Sequence, residues 1–178
     1  VKFQSEFVNS HLSGKDLSYF VPKLEGLEEE IVFNGKITGK VKRLKLRKCE
    51  IQYGEETIFQ GKLNIDGLPD FENSFIHVGV NKLITKASDI KNIPLYPFNS
   101  GKKVKVPAWL KNLGNISFSG KYTGFPSDFV AYGKFDTKCG KVSTDINFSK
   151  DDKGEFDLGG KMNTYGFNLR RLLRQEKL

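Results

Sequence analysis

Two histidines, two cysteines and three short acidic runs are the first places to look for reaction chemistry in this chain. A nucleophile relay needs a base within hydrogen-bond reach of a Ser, Cys or Thr and a third group that orients the base. Neither His11 nor His77 stands at such a spacing, so both read as surface or sheet-facing side chains. The runs Glu28-Glu29-Glu30, Glu55-Glu56 and Asp151-Asp152 lie beside turns or element ends, where solvated carboxylates are ordinary, and general acid–base catalysis is unsupported. Cys49 and Cys139 are far apart, with no CxxC pattern and no paired histidine, which argues against a metal site. A disulfide between them would suit an oxidising compartment, but two cysteines do not establish one. Gly159-Gly160 and the segment Gly120–Gly124 lack the following helix of a phosphate loop, and in strands glycine marks bends or close backbone approach. The expectation is a chain that is not an enzyme and uses no cofactor.

The chemistry left is apolar. From Gly114 to Ser149 every second residue falls on one greasy phase: Ile116, Phe118, Gly120, Tyr122; then Phe129, Ala131, Gly133, Phe135; then Val142, Thr144, Ile146, Phe148. Ser, Lys, Thr, Asp and Asn occupy most positions between. A period of two, broken by Gly, Pro and Asp, predicts an antiparallel meander with one apolar face.

The rest of the chain repeats the pattern. Strands are expected over residues 1–12, Ile31–Thr38, Lys42–Tyr53, Thr57–Asp66, Phe75–Thr85 and Glu155–Met162. In Lys42–Tyr53 the apolar phase moves from Leu44 and Leu46 to Cys49 and Ile51, which predicts a bulge. Short helices are expected at Asp16–Val21 behind a Ser13-x-x-Asp16 capping pair, near Asp89-Ile90, between Pro107 and Gly114, and over Leu169–Lys177 behind Asn168. Pro22 would stop the first helix, and Pro94 and Pro97 would forbid continuous structure around them.

An internal repeat organises these elements. Ile31, Phe33 and Gly35-Lys36-Ile37-Thr38-Gly39 recur 85 residues later as Ile116, Phe118 and Gly120-Lys121-Tyr122-Thr123-Gly124, and Val21-Pro22 as Val106-Pro107. Leu44 matches Phe129 at that offset, and the turn at 54–56 falls on 139–141. The copies span about 13–85 and 98–165, with a terminal helix over 168–178. Asp16-Leu17, Asp89-Ile90 and Asn168-Leu169 each follow a strand at a possible helix start.

The chain has 178 residues, enough for one domain or two packed repeats. Opening at Val1 with no signal-like segment, it reads as a piece of something longer. No run approaches the roughly 18 apolar residues of a membrane helix. Twenty-nine basic against 21 acidic residues give a net charge of +8, an invitation to anionic partners. The plainer account is solubility, because the lysines fall on the polar phase of strands. Nucleic-acid binding would want aromatics interleaved with cations on one face, and here Phe and Lys occupy opposite phases. No nucleic-acid partner is expected.

A sheet with one apolar side must cover it with a second sheet, with helices or with a ligand. Alternation alone leaves a filled sandwich and an open half-pipe equally possible. One acyl chain of about sixteen carbons buried in such a groove gains on the order of 10 kcal/mol before ordering costs.

The segments GLPD–FENSFIHVGVNKLIT (67–85), Ile93-Pro94-Leu95 with Pro97-Phe98, and LGNISFSGKYTGFPSDFVAYGKFDT (113–137) go beyond alternation: they resemble the TamB family of the AsmA-like superfamily, in particular Bacteroidota-type members. The resemblance extends over essentially the whole chain and is most specific at Thr-Gly-Phe…Asp-Phe-Val-Ala-Tyr-Gly (123–133). It implies a long periplasmic protein anchored in the inner membrane, built of β repeats that form a taco-like trough. Such proteins are implicated in moving phospholipid to the outer membrane and in assembling outer-membrane β-barrels with a barrel partner. The anchor and the partner-binding region lie outside this stretch.

The expected fold is therefore mainly β: a repetitive antiparallel β-groove of nine or ten strands with short helices at its rim or ends. The expected function is passive conduction of phospholipid acyl chains, with headgroups at the polar rim. Candidate lining residues are Ile31, Phe33, Ile37, Phe59, Leu63, Ile65, Ile116, Phe118, Tyr122, Phe129, Phe135, Val142, Ile146 and Phe148. A chaperone-like scaffold that receives outer-membrane β-strands is the alternative, and a plain sandwich a third. The glycines at 120 and 133 would let the sheet curl and leave room in the trough. Exposed edge strands would favour pairing between copies in a crystal.

Overall fold

The computed structural model describes residues 2–18, 30–93, 95, 102–150 and 154–173. Nine strands follow one another in a single antiparallel sheet, and each pairs with its sequence neighbours. They are β1 (Phe3–Leu12), β2 (Ile31–Lys40), β3 (Arg43–Tyr53), β4 (Thr57–Asp66), β5 (Phe75–Thr85), β6 (Ile116–Phe125), β7 (Asp128–Thr137), β8 (Gly140–Lys150) and β9 (Phe156–Tyr165). At about 4.8 Å per strand the sheet is roughly 40 Å wide. It is mainly β, open and uncurled, consistent with a repetitive antiparallel β-groove.

Two long connections interrupt the meander, one after β1 and one after β5, and both leave from the same end of the sheet. The short helices among the described residues therefore gather there: α1 (Gly14–Ser18), α2 (Ala87–Asn92), a 3₁₀ helix η1 (Ala108–Leu113) and α3 (Leu169–Leu172). Each holds one to two turns, too short to stand without tertiary contacts. At α1 the capping pair forms as its spacing predicts. The Ser13 N–H donates to Asp16 Oδ2 at 2.9 Å, and the Asp16 N–H donates to Ser13 Oγ at 3.2 Å. The helix nonetheless begins two residues earlier than Asp16. The Val21-Pro22 stop, Pro94 and Pro97 lie outside the described residues, as does the chain from 174 onward. η1 sits between Pro107 and Gly114 as expected, and Gly114 closes it with φ 65°, the left-handed region that glycine enters most cheaply.

The bulge expected in β3 is present. Glu50 pairs with Asn34 and Arg47 with Lys36, so two residues of β3 face one of β2, and Lys48 takes φ 48°. Two further bulges, not among the expectations, lie at Val8-Asn9 in β1 and at Asn81 in β5.

Register explains how the repeat runs and where it slips. Gly39 faces Leu44 as Gly124 faces Phe129, at an offset of 85. Beyond the Lys48 bulge Ile51 takes the place of Phe135, an offset of 84. The turn after β3 spans residues 54–56 while the turn after β7 spans only 138–139, so Phe59 corresponds to Val142, an offset of 83. The expected match of 54–56 with 139–141 is thus displaced by one bulged and one inserted residue.

Candidate apolar binding face

The ladder brings all fourteen candidate residues to one face of the sheet. One row crosses eight strands in register: Phe33, Ile51, Phe59, Leu83, Phe118, Phe135, Val142 and Thr164. A parallel row near the opposite end ends in an aromatic run. Tyr122 and Phe129 have centroids 4.7 Å apart, Phe129 and Phe148 5.1 Å, and Phe148 and Phe156 5.3 Å. Among the described residues no second sheet covers this face. Of the fourteen only Phe33 and Ile116 are fully buried, and the other twelve are half-buried.

Between those rows lies a third row of small residues: Gly35, Cys49, Gly61, then Gly120, Gly133 and Thr144. These glycines do not leave the space expected of them. The motif Phe-x-Gly-Lys occurs at 33–36, 59–62 and 118–121, and in each the Phe ring turns along its strand over the glycine two residues on. A Cβ at Gly35, Gly61 or Gly120 would stand 3.2, 2.9 or 2.7 Å from that ring's Cζ, and Phe118 covers Gly133 as well. The rings fill the room, and bare glycine is what permits them to lie down.

At the helix end the face deepens into a cavity of about 630 Å³. Its floor is Leu83, Thr85, Ile116, Phe118, Phe135, Thr137, Val142, Thr144 and Met162. Its wall comes from the short helices: Ile90 of α2 with Ile93 beyond it, Trp109, Leu110 and Leu113 of η1, and Phe167 and Leu172. Three of the lining hydroxyls are engaged with one another or with backbone. Thr57 and Thr85 share a 2.8 Å hydrogen bond, and Thr137 Oγ1 donates to the Gly140 carbonyl at 2.8 Å. What remains for an occupant is carbon. Four expected residues (Ile116, Phe118, Phe135 and Val142) line this cavity; the other ten lie outside it on the open face. The helix side chains were not foreseen as lining, although the Asp89-Ile90 and Asn168-Leu169 recurrences marked two of the helices.

Those recurrences latch helices to hairpins. Asp89, 3% exposed, reaches back to the turn after β3, accepting from the Glu56 N–H at 2.9 Å and from Thr57 Oγ1 at 2.8 Å. Burial pushes its carboxyl up, but these donors prevail and hold it below the usual carboxylate range. The Asn168 N–H donates to the Cys139 carbonyl at 2.6 Å in the turn after β7, while its side chain accepts from the Arg171 N–H at 2.9 Å and caps α3. Asn112 ties η1 to α3 through the Leu172 carbonyl at 2.7 Å.

The residues with reactive chemistry are dispersed. His11 lies 3.0 Å from Glu30, and His77 Nδ1 lies 2.9 Å from Thr123 Oγ1 on the other face of the sheet. Glu55 and Glu56 clasp Lys86 at 3.0 and 2.8 Å. Asp151 and Asp152 lie outside the described residues. Cys49 and Cys139 are buried and free, so the structure contains no disulfide between them. Cys49 hydrogen-bonds the Gly61 carbonyl at 3.3 Å, and burial pushes its thiol up. No described helix is long and apolar enough to cross a membrane. No family model, curated protein or solved structure matches the chain.

Proposed function

We propose that this chain is a segment of an envelope-spanning lipid-transport bridge, TamB-like in kind, whose apolar sheet face conducts phospholipid acyl chains through the periplasm. The parent protein would be anchored in the inner membrane and would meet an outer-membrane β-barrel partner through regions beyond this stretch. One observation carries the reading: an apolar row continues from β2 to β9 with no second sheet over it among the described residues, and opens at the helix end into a carbon-lined cavity. A folded sheet does not ordinarily leave so large an apolar area unpartnered. Burying an acyl chain along it would supply on the order of 10 kcal/mol before ordering costs. A lining surface that is apolar throughout favours a hydrocarbon and discriminates little among headgroups.

A second reading has its own support. The β9 edge is ten residues long and its apolar phase is open, with Phe156 at 68%, Leu158 at 67% and Met162 at 68% exposure. Such an edge accepts strands, as a scaffold for outer-membrane β-proteins would require. A photo-crosslinking residue at Phe118 or Phe59 in the native full-length protein separates the two. Phospholipid adducts support conduction, and adducts with nascent barrel protein support the scaffold. Neither adduct, with residue 119 on the polar face as the control, would remove both.

A further inference from the structure

The polar face of the sheet carries a site of opposite character, and the case for it does not rest on the lipid reading. Over β2, β3 and β4 a concavity of about 830 Å³ is bounded by Lys36, Lys45, Arg47, Lys48 and Lys62, with Glu6 as its one carboxylate. Elsewhere some cations meet acids, as Arg43 does Asp66, Lys86 does Glu55 and Glu56, and Lys141 does Asp136, while others stand singly; here five are gathered round one recess. Among the described residues none of these five cations has an ion-pair partner. In the ladder Lys36 stands opposite Glu6 on β1 and opposite Arg47 on β3, and the second of these is a like-charge placement that costs stability. Lys48 adds to the cost. It occupies φ 48° at the bulge, a conformation glycine or asparagine adopts with less strain. Both unfavourable choices point the same way: the sequence keeps positive charge here against the preference of the fold.

We propose that this concavity binds a compact ligand carrying at least two phosphate groups. Five cations against one carboxylate leave an excess of four, which two phosphates at about −2 each would neutralise. Asn64 and Asn81 also line the site and can donate amide hydrogens to the ester or bridging oxygens. No aromatic side chain lines it, so it lacks the stacking platform of a single-strand nucleic-acid groove. A recess built by bulges suits a compact anion better than a flat bilayer surface.

The test is calorimetric titration of the chain with tripolyphosphate at about 150 mM salt. Saturable one-to-one binding is expected, with orthophosphate weaker by about a hundredfold. Arg47→Gln combined with Lys45→Gln should weaken tripolyphosphate by about tenfold or more. Lys48→Gly is the decisive variant, because it should weaken binding while raising the melting temperature by about 2–4 °C through relief of the strained backbone. Absence of saturable binding overturns the proposal, as does binding that the Lys48→Gly protein retains in full. Equal affinity for orthophosphate would also overturn it. Sedimentation with vesicles of phosphatidylglycerol and phosphatidylcholine (about 3:7) that tripolyphosphate does not compete would assign the patch to a membrane surface instead. Tighter binding of an oligothymidylate than of tripolyphosphate would assign it to nucleic acid.

Discussion

The ring of Phe118 occupies the space that a side chain at Gly133, on the neighbouring strand, would need: a Cβ there would stand 2.6 Å from the Phe118 Cζ. The carbonyl oxygen of Ser119 would be equally close. Gly133→Ala is therefore an overpacking substitution and should cost about 1–3 kcal/mol in urea denaturation. Adding Phe118→Leu should recover part of that cost and not all, because the backbone contact remains. A double-mutant cycle with zero coupling between the two positions would contradict the packing described.

That packing marks the limit of what alternation reveals. A period of two assigned Phe118, Gly120, Gly133 and Phe135 to one face, and the ladder places them there. It said nothing of side-chain direction along the strand, so glycine read as empty space where it is in fact roofed by phenylalanine. Bulges divide in the same manner. The one at Lys48 shifts the apolar phase between Leu46 and Cys49 and was legible. The one at Asn9 lies where Ser10 replaces an apolar residue, and the one at Asn81 moves the apolar phase from Ile76, Val78 and Val80 to Leu83 across the polar pair Asn81-Lys82. The cavity wall was the least legible part. Trp109, Leu110 and Leu113 belong to a helix of barely two turns, whose position depends on hydrogen bonds from Asn112 and Lys138 to distant backbone. Periodicity within a segment carries no record of such long-range contacts.

Asp89 gives the fold a response to acid. Its carboxyl titrates below the ordinary value when folded, so its contribution is complete above the unfolded pKa, near 3.9, and is lost as pH falls through the lower folded value. Asp89→Asn keeps the shape but removes the charge that receives the Glu56 and Thr57 donors. We expect a loss of about 1.5–3 kcal/mol at pH 7. The gap between wild type and variant should narrow as pH drops below about 4. A gap that is constant from pH 7 to pH 3 would show that the charge contributes nothing.

The two thiols should be silent in the native state. Cys49 and Cys139 are 2% and 1% exposed, and Cys49 is further protected by a thiol pushed up by burial. Maleimide labelling should be negligible in buffer and should reach two thiols per chain in denaturant. Since Cys49 lies in β3 and Cys139 in the turn before β8, labelling over a denaturant series reports on the two halves separately. Simultaneous exposure would indicate that the sheet opens as one unit.

Met162 offers the sharpest probe of the cavity because it serves the site without supporting the fold. It lines the floor opposite Thr144, yet stands on the edge strand with 68% of its surface exposed. Met162→Arg should change stability by no more than about 0.5 kcal/mol, as surface substitutions do. The same change sets a guanidinium beside Thr144 and Val142, where an apolar occupant would have to desolvate it. Binding of the neutral fluorophore N-phenyl-1-naphthylamine should weaken about tenfold, close to 1.4 kcal/mol. Lys161→Ala, on the opposite phase of the same strand, should leave it unchanged. Equal losses in both variants would mean that the probe reads the β9 edge, and an unchanged affinity in Met162→Arg would separate apolar binding from the helix-walled cavity.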